Sequence, residues 1–409
     1  MMHRYLVFSF LLIVSYSTAM AADWPAWRGS TGQGFCEEKG ILLNWSDTEN
    51  VKWKVPLEHQ GNSTPIVWGE KIFLTQANKD GHLRSLLCLA RADGELLWQK
   101  DVDYGEKERN WNANWYCNAS PATDGQRVVV SFGSAGMYCC DLDGKELWKR
   151  TDLGKWDHNF GNASSPVLYG ETAILWCGPN KKEGRNFLLA VNKKSGETTW
   201  EHDEKAGSWG TPLVVNANGR DQLLLSTVPH FKGLDPKTGE ELWRCEGLNK
   251  YVYTSPLYGN GVAVAMSGYN GAALAVKLGG SGDITEDRLW HHPRNTQRVG
   301  SGMVIGDYVY MMEENGVPHC YELKTGEEVW QVKTRPGGGR TWGSMVHADG
   351  RLYVLMRNGA TQVFAASPTY ELLATNPLSG ESTNSTIVIS NGDLFIRTFK
   401  HLWCLGETK

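Results

Sequence analysis

The sequence predicts an all-β protein, an eight-bladed β-propeller of four-stranded antiparallel blades, on three observations. A Gly-x-x-x-Trp block recurs as "GELLW", "GKELW", "GETTW", "GEELW" and "GEEVW", ending at Trp98, Trp148, Trp200, Trp243 and Trp330, with a diverged "EDRLW" ending at Trp290. A second block, Ser or Thr followed by Pro, lies upstream, with its proline at Pro65, Pro121, Pro166, Pro212 and Pro256. Beyond the first residues no segment keeps a helical period for more than a turn or two. Successive tryptophans stand 50, 52, 43, 47 and 40 residues apart, the spacing of a repeat architecture rather than of separate domains.

The chain begins with an expected export signal over residues 1–21: Arg4, the apolar run Tyr5 to Tyr16, then the small-x-small pattern of Ala19-Met20-Ala21. The run is too short for a membrane span, and no later stretch reaches the roughly 20 apolar residues a span needs. The protein is therefore expected to be exported, periplasmic or secreted, with no transmembrane span. Residues 22–44 are read as an N-terminal extension and 45–409 as the propeller.

Each unit is read as four strands. The Ser/Thr-Pro block opens the first, a Gly/Asp/Asn turn leads to the second, and the third runs into a tight turn such as "KKSGE", where Gly takes positive φ. The fourth carries the tryptophan. Units start near Ser63, Ala119, Ser164, Gly210, Thr254, Ser301, Ser344 and Ser385. The seventh lacks the tryptophan, and the eighth reaches the C-terminus with three strands. Its missing strand is expected from "ENVKWKVPL", with Trp53 docking, because closure removes free sheet edges. Tryptophans 53, 98, 148, 200, 243, 290 and 330 are assigned to docking between blades.

Net charge is −4, and no basic run of five or more residues occurs, so nucleic acid is not an expected partner. Nine cysteines is an odd number, so full internal pairing is excluded, and most are expected to be buried small residues. The chain carries no Gly-x-Ser-x-Gly, His-Glu-x-x-His, phosphate-loop or Cys-x-x-Cys motif, and no catalytic residue or metal site is assigned.

Ligand contacts are expected where connections enter the first strands, at one mouth of the axial channel. Asn62, Asn118, Asn162 and Asn384 recur there, as do Trp111, Trp115, Trp156, Trp209 and Trp342, with Tyr253, His59 and Arg298 beside them. Amides next to aromatic rings suit a flat ring, a sugar or a peptide. Equally, the amides can serve neighbouring backbone and the rings can plug the pore. A protein, small-molecule or carbohydrate ligand at one propeller face is the expected partner of a monomer.

The pattern in "GLDPKTGEELW", Gly233 to Trp243, and "CYELKTGEEVW", Cys320 to Trp330, resembles the tryptophan-docking repeat of the pyrroloquinoline quinone (PQQ) propellers. That superfamily holds quinoprotein alcohol dehydrogenases and BamB-type assembly factors, both eight-bladed. "DWPAWRG", "TENVKWKVPL" and "SPTYELLATNPL" are similar to exported PQQ-like propellers of planctomycete-type bacteria. The BamB resemblance implies a binding or assembly scaffold. The dehydrogenase resemblance implies PQQ with calcium and a disulfide between adjacent cysteines over the cofactor, for which Cys139-Cys140 before Asp141 is the candidate. Against a disulfide, adjacent Cα atoms lie about 3.8 Å apart, short of its usual range. Cys139 also falls in the repeat slot of Ala190, Gly233 and Cys320, and Cys140 in that of Val191, Leu234 and Tyr321. Glu313, Glu314 and Asp157-His158-Asn159 are read as solvated loop groups.

Overall fold

The computed structural model describes residues 23–408 except 112, 182, 183, 297 and 337; the expected export signal lies outside these. Eight sheets are arranged as the period requires. Blades 1 to 7 run from first to fourth strand as Ile66–Trp68 to Leu96–Asp103, Ala122–Thr123 to Glu146–Arg150, Val167–Tyr169 to Thr198–Glu204, Leu213–Ala217 to Glu241–Glu246, Leu257–Gly259 to Arg288–His292, Met303–Ile305 to Glu328–Gln331, and Val346–Ala348 to Leu372–Asn376. Blade 8 takes Val388–Ser390, Asp393–Arg397 and His401–Leu405 from the C-terminus and Val51–Pro56 from the N-terminal side, antiparallel to His401–Leu405.

The proline after each Ser/Thr has no N–H to donate and holds the preceding residue extended, so it suits the opening of an innermost strand. At the outer edge, each docking tryptophan stands across from a small residue of the third strand: Cys88 for Trp98, Cys139 for Trp148, Ala190 for Trp200, Ala275 for Trp290, Cys320 for Trp330 and Cys404 for Trp53. A bulge follows at the next pair and turns the indole toward the adjoining blade. There the indole N–H donates to a carbonyl of the next blade: Trp53 to Arg91, Trp98 to Leu142, Trp148 to Lys193, and Trp290 to Leu323, at 2.9–3.0 Å. The motif glycine lies flat on the previous blade's indole. Gly196 has φ +76° and a Cβ there would come within 2.8 Å of Trp148, so both conformation and contact require Gly.

Two blades depart from the pattern. Trp243 is 1% exposed and donates to Gln222 Oε1 of its own blade at 2.7 Å. The next unit has no Gly-Glu turn to receive it. Instead Gly282–Asp283 adds a parallel fifth strand outside Glu241–Glu246. Blade 7 has Ala374 where the tryptophan would stand, opposite Val363. Trp45 of the N-terminal segment fills the gap between blades 7 and 8, stacked on Tyr353 at 6.5 Å.

The segment before Trp45 lies across one mouth of the channel, at the C-terminal ends of the innermost strands. Trp24 pairs with Val67 of blade 1, Pro25 accepts from Thr123 N–H of blade 2, Gln33 Oε1 from Tyr258 N–H of blade 5, and Gly34 from His347 N–H of blade 7. Phe35–Cys36 then runs parallel to Val346–Ala348. Arg28 is fully buried and donates to the carbonyls of Gly302 and Met345, at 2.5 and 3.5 Å.

Candidate functional site

With that mouth covered, the channel is a cup of about 620 Å³ opening on the rim where connections enter the blades. Trp27, next to Arg28, lines its base. The wall is a ring of hydroxyls, one per blade, from the pre-proline Ser/Thr of blades 1 to 5 and from Ser301, Ser344 and Thr386 in the same slot of blades 6 to 8. Backbone N–H groups donate around it: Thr64 to Ser120, Ser120 to Ser165, Ser165 to Thr211, Ser255 to Ser301, Ser301 to Ser344, Ser344 to Thr386, and Thr386 back to Thr64, at 2.9–3.0 Å. The last contact joins blade 8 to blade 1. All of these hydroxyls but Ser120 line the cup.

Above the ring lies a tier of amides. Asn62 Nδ2 donates to Asn118 Oδ1 at 2.7 Å and to Asn114 Oδ1 at 3.2 Å. Asn384 donates to Ala113 O at 2.6 Å and to Asn62 Oδ1 at 3.3 Å. Asn118 donates to the Asn162 carbonyl at 2.8 Å. Asn162 itself points behind the wall, donating at 2.9 Å to Glu108, which pairs with buried Arg84 at 2.6 Å. The amides thus bond one another and the backbone, while Asn62, Asn118 and Asn384 also face the cup.

Aromatic rings form two groups at the rim. Trp209, 6% exposed, packs edge-on against His158 at 4.6 Å and Tyr253 at 5.2 Å, and donates to Gly161 O at 2.8 Å. Burial lowers the His158 imidazole to about 4, and its Nδ1 accepts from Phe160 N–H. In the second group, Trp342 donates to Glu314 Oε1 at 3.2 Å, and the Arg357 guanidinium lies 4.6 Å above its ring. Arg357 also donates to Asn384 Oδ1. Trp111 is 53% exposed at the lip.

The other candidate residues stand apart from the cup. Trp115 leans on Phe399, Trp156 is buried beneath the rim, and His59 meets Gln76 through its backbone. Arg298 is buried and donates through Nη2 to Asn295 and Thr296. It belongs to a polar cluster near a second cavity of about 520 Å³ beside blades 5 and 6. There His319, 1% exposed, bonds Glu313 at 2.7 Å and Glu328 at 3.1 Å, with Tyr321 Oη at 3.1 Å. Glu313 and Glu314 are therefore buried, bonded groups and not solvated loop residues, and His158 is a core residue of the rim. Sequence reading missed Trp27, Arg28 and the hydroxyl ring. A signal for the ring was present: Ser or Thr holds the same slot in all eight units.

Cys139 and Cys140 occupy the third strand of blade 2, Met137–Asp141, two strands out from the channel. Both are free thiols, as are the other seven cysteines, all buried. Cys139 faces blade 3, where its thiol lies 3.9 Å from the Lys193 carbonyl, beneath Trp148. Burial pushes its thiol up to about 12 and that of Cys140 up to about 11. The strand alternates its side chains, so the two sulfurs serve opposite faces.

The residues do not fit calcium-bound PQQ. Calcium takes six to eight oxygen ligands, carboxylates foremost. Among the described residues Glu314 is the cup's one carboxylate, and Trp342 and Arg340 already engage it. No cluster of three His, Cys, Asp or Glu suited to a metal occurs among the described residues. The adjacent cysteines are in the blade interior, away from any molecule in the cup.

Comparison with known proteins agrees with this architecture. BamB of Burkholderia pseudomallei (strain K96243) is 22% identical over 290 residues, covering 67% of each chain. The crystal structure of BamB from Moraxella catarrhalis superposes with a TM-score of 0.62 at 13% identity, over 87% of this chain and 96% of that one. Quinohemoprotein alcohol dehydrogenase from Comamonas testosteroni gives 0.66 at 11% identity, over 95% and 81%; at such identities both superpositions speak for the fold alone. The family described as outer membrane protein assembly factor BamB matches over residues 35–151, 84–332 and 184–405, and this chain, a PQQ-repeat propeller, belongs to it.

Proposed function

We propose that the protein is an exported binding module, without a catalytic centre of its own, that holds a polar ligand in the axial cup and serves an assembly role as a monomer. The observation that carries this reading is the cup itself: closed at Trp27, walled by hydroxyls, and rimmed by amides and aromatic faces. Such a lining matches a molecule with hydroxyl or carbonyl groups and a flat apolar face, as a saccharide has. The BamB relative is named for outer membrane protein assembly, which supports export and a protein partner at one face.

The test is calorimetric titration with a panel of neutral and acidic saccharides, on wild type and Trp342→Ala. At least one member binds wild type, and Trp342→Ala weakens it about tenfold or more, the scale of losing an aromatic platform. Binding of no member, or binding that Trp342→Ala leaves intact, overturns the reading. The dehydrogenase alternative requires a bound chromophore and dye-linked alcohol oxidation after mixing with PQQ and Ca²⁺; the expected result is neither.

A further inference from the structure

The hydroxyl ring has an unusual hydrogen-bond economy. Each ring oxygen but one accepts a backbone N–H from the neighbouring blade. None of the ring hydroxyls donates to a protein acceptor among the described residues. Their O–H hydrogens are therefore uncommitted, set around one axis in the wall of the cup. Ser255 goes further: it is 3% exposed, lines the cup, and its Oγ has no partner among the described residues. A buried hydroxyl without a partner is costly unless something else meets it.

The charges point the same way. Arg28 Nη2 reaches Gly302 and Met345, each one residue beyond ring members Ser301 and Ser344. Among the described residues its Nε and Nη1 have no partner and no acidic group pairs with it; burial lowers it, to about 9. At the rim Arg340 and Arg357 line the cup with Glu314 as the sole acid among the described residues. A ring of donors above an unpaired buried cation favours negative charge, since desolvated cations act strongly at short range.

We propose that the base of the cup is an anion seat, in which the ring hydroxyls receive a carboxylate or phosphate group at one end of the ligand, favoured by the charge of Arg28 buried behind the lining. The body of the ligand then lies between the Trp342 and Trp209 sides. This rests on the cup being the binding site.

The test compares D-glucuronate, D-glucose 6-phosphate and D-glucose by calorimetric titration. The two acids distinguish carboxylate from phosphate, and glucose reports the sugar body alone. At least one acid binds about tenfold or more tighter than glucose, the scale of one charge-assisted hydrogen bond. Arg28→Gln reduces that preference to near unity. Should Arg28→Gln fail to fold, Ser255→Ala decides: it removes a hydroxyl that bonds nothing in the protein, so thermal stability is kept or rises while acid affinity falls several-fold. Glucose binding as tightly as both acids, with Trp342→Ala abolishing all three, overturns the anion seat and leaves the binding module standing. Absence of binding by either acid, or wild-type acid affinity in both variants, also overturns it.

Discussion

Replacing Trp148 by alanine tests what holds the ring together. The indole is 8% exposed among Val129, Cys139, Ala173, Leu175 and Val191 of blades 2 and 3. A tryptophan side chain hides roughly 150–250 Å², which at about 25 cal/mol/Å² is some 4–6 kcal/mol gross. Ordering entropy and the area alanine retains reduce this, and measured Trp→Ala costs of about 3–5 kcal/mol include the residual cavity. The lost bond to Lys193 O adds less than about 1 kcal/mol, because the carbonyl also meets the Cys139 thiol. We expect a loss of about 3–5 kcal/mol. Leu147→Ala is the control: 43% exposed and on the opposite face of the strand, it costs about 0.5 kcal/mol or less. The assay is urea unfolding followed by far-ultraviolet circular dichroism, with midpoint and slope both fitted. Equal losses in the two variants, or a loss under about 1 kcal/mol for Trp148→Ala, would refute the docking argument.

Two further outcomes follow from the same geometry. Native protein is expected to react negligibly with dithiobis-nitrobenzoate at pH 8, because all nine thiols are buried, and to give nine equivalents when unfolded; non-reduced mass spectrometry showing a Cys139–Cys140 link would contradict this. His158 is held to about 4 by burial and, secondarily, by Lys181, below the unfolded value of about 6.5. A base depressed in the folded state leaves the unfolded chain binding more protons below about 6.5, so stability is full at neutral pH and falls as pH drops toward 4. The loss between pH 7 and pH 5 is about 2 kcal/mol. His158→Phe should show a correspondingly shallower decline in melting temperature, and an unchanged decline would remove His158 as the cause.

The repeat was readable because each blade is specified by short-range signals. Pre-proline Ser/Thr opens an inner strand, period-two alternation makes the middle ones, and a glycine turn leads to the tryptophan. Counting such units yields eight, and the three-stranded remainder demands Val51–Pro56, which the structure supplies. Cys139 shares its slot with Ala190 and Cys320 in other blades, and each stands across from a docking tryptophan. At the rim the reading was partial. Asn62, Asn118, Asn384, Trp209 and Trp342 converge on the cup, whereas Asn162, Trp115 and Arg298 stand nearby but face elsewhere. Sequence places a residue on a connection; which way a non-repeating loop folds depends on partners far along the chain.

The sequence alone determined blade number, strand order, closure and six of the seven tryptophans assigned as inter-blade wedges, because these depend on local periodicity repeated along the chain. Only the tertiary structure decided what occupies the axis. Arg28 meets Gly302 and Met345 across 274 and 317 residues of chain, and Trp27 becomes the base of a cup solely because the ring closes around it. Likewise Trp243 turned inward because the following unit lacks the glycine turn that would receive its indole. Contacts within one unit are encoded by adjacent residues; contacts across a closed ring exist only once every unit is in place.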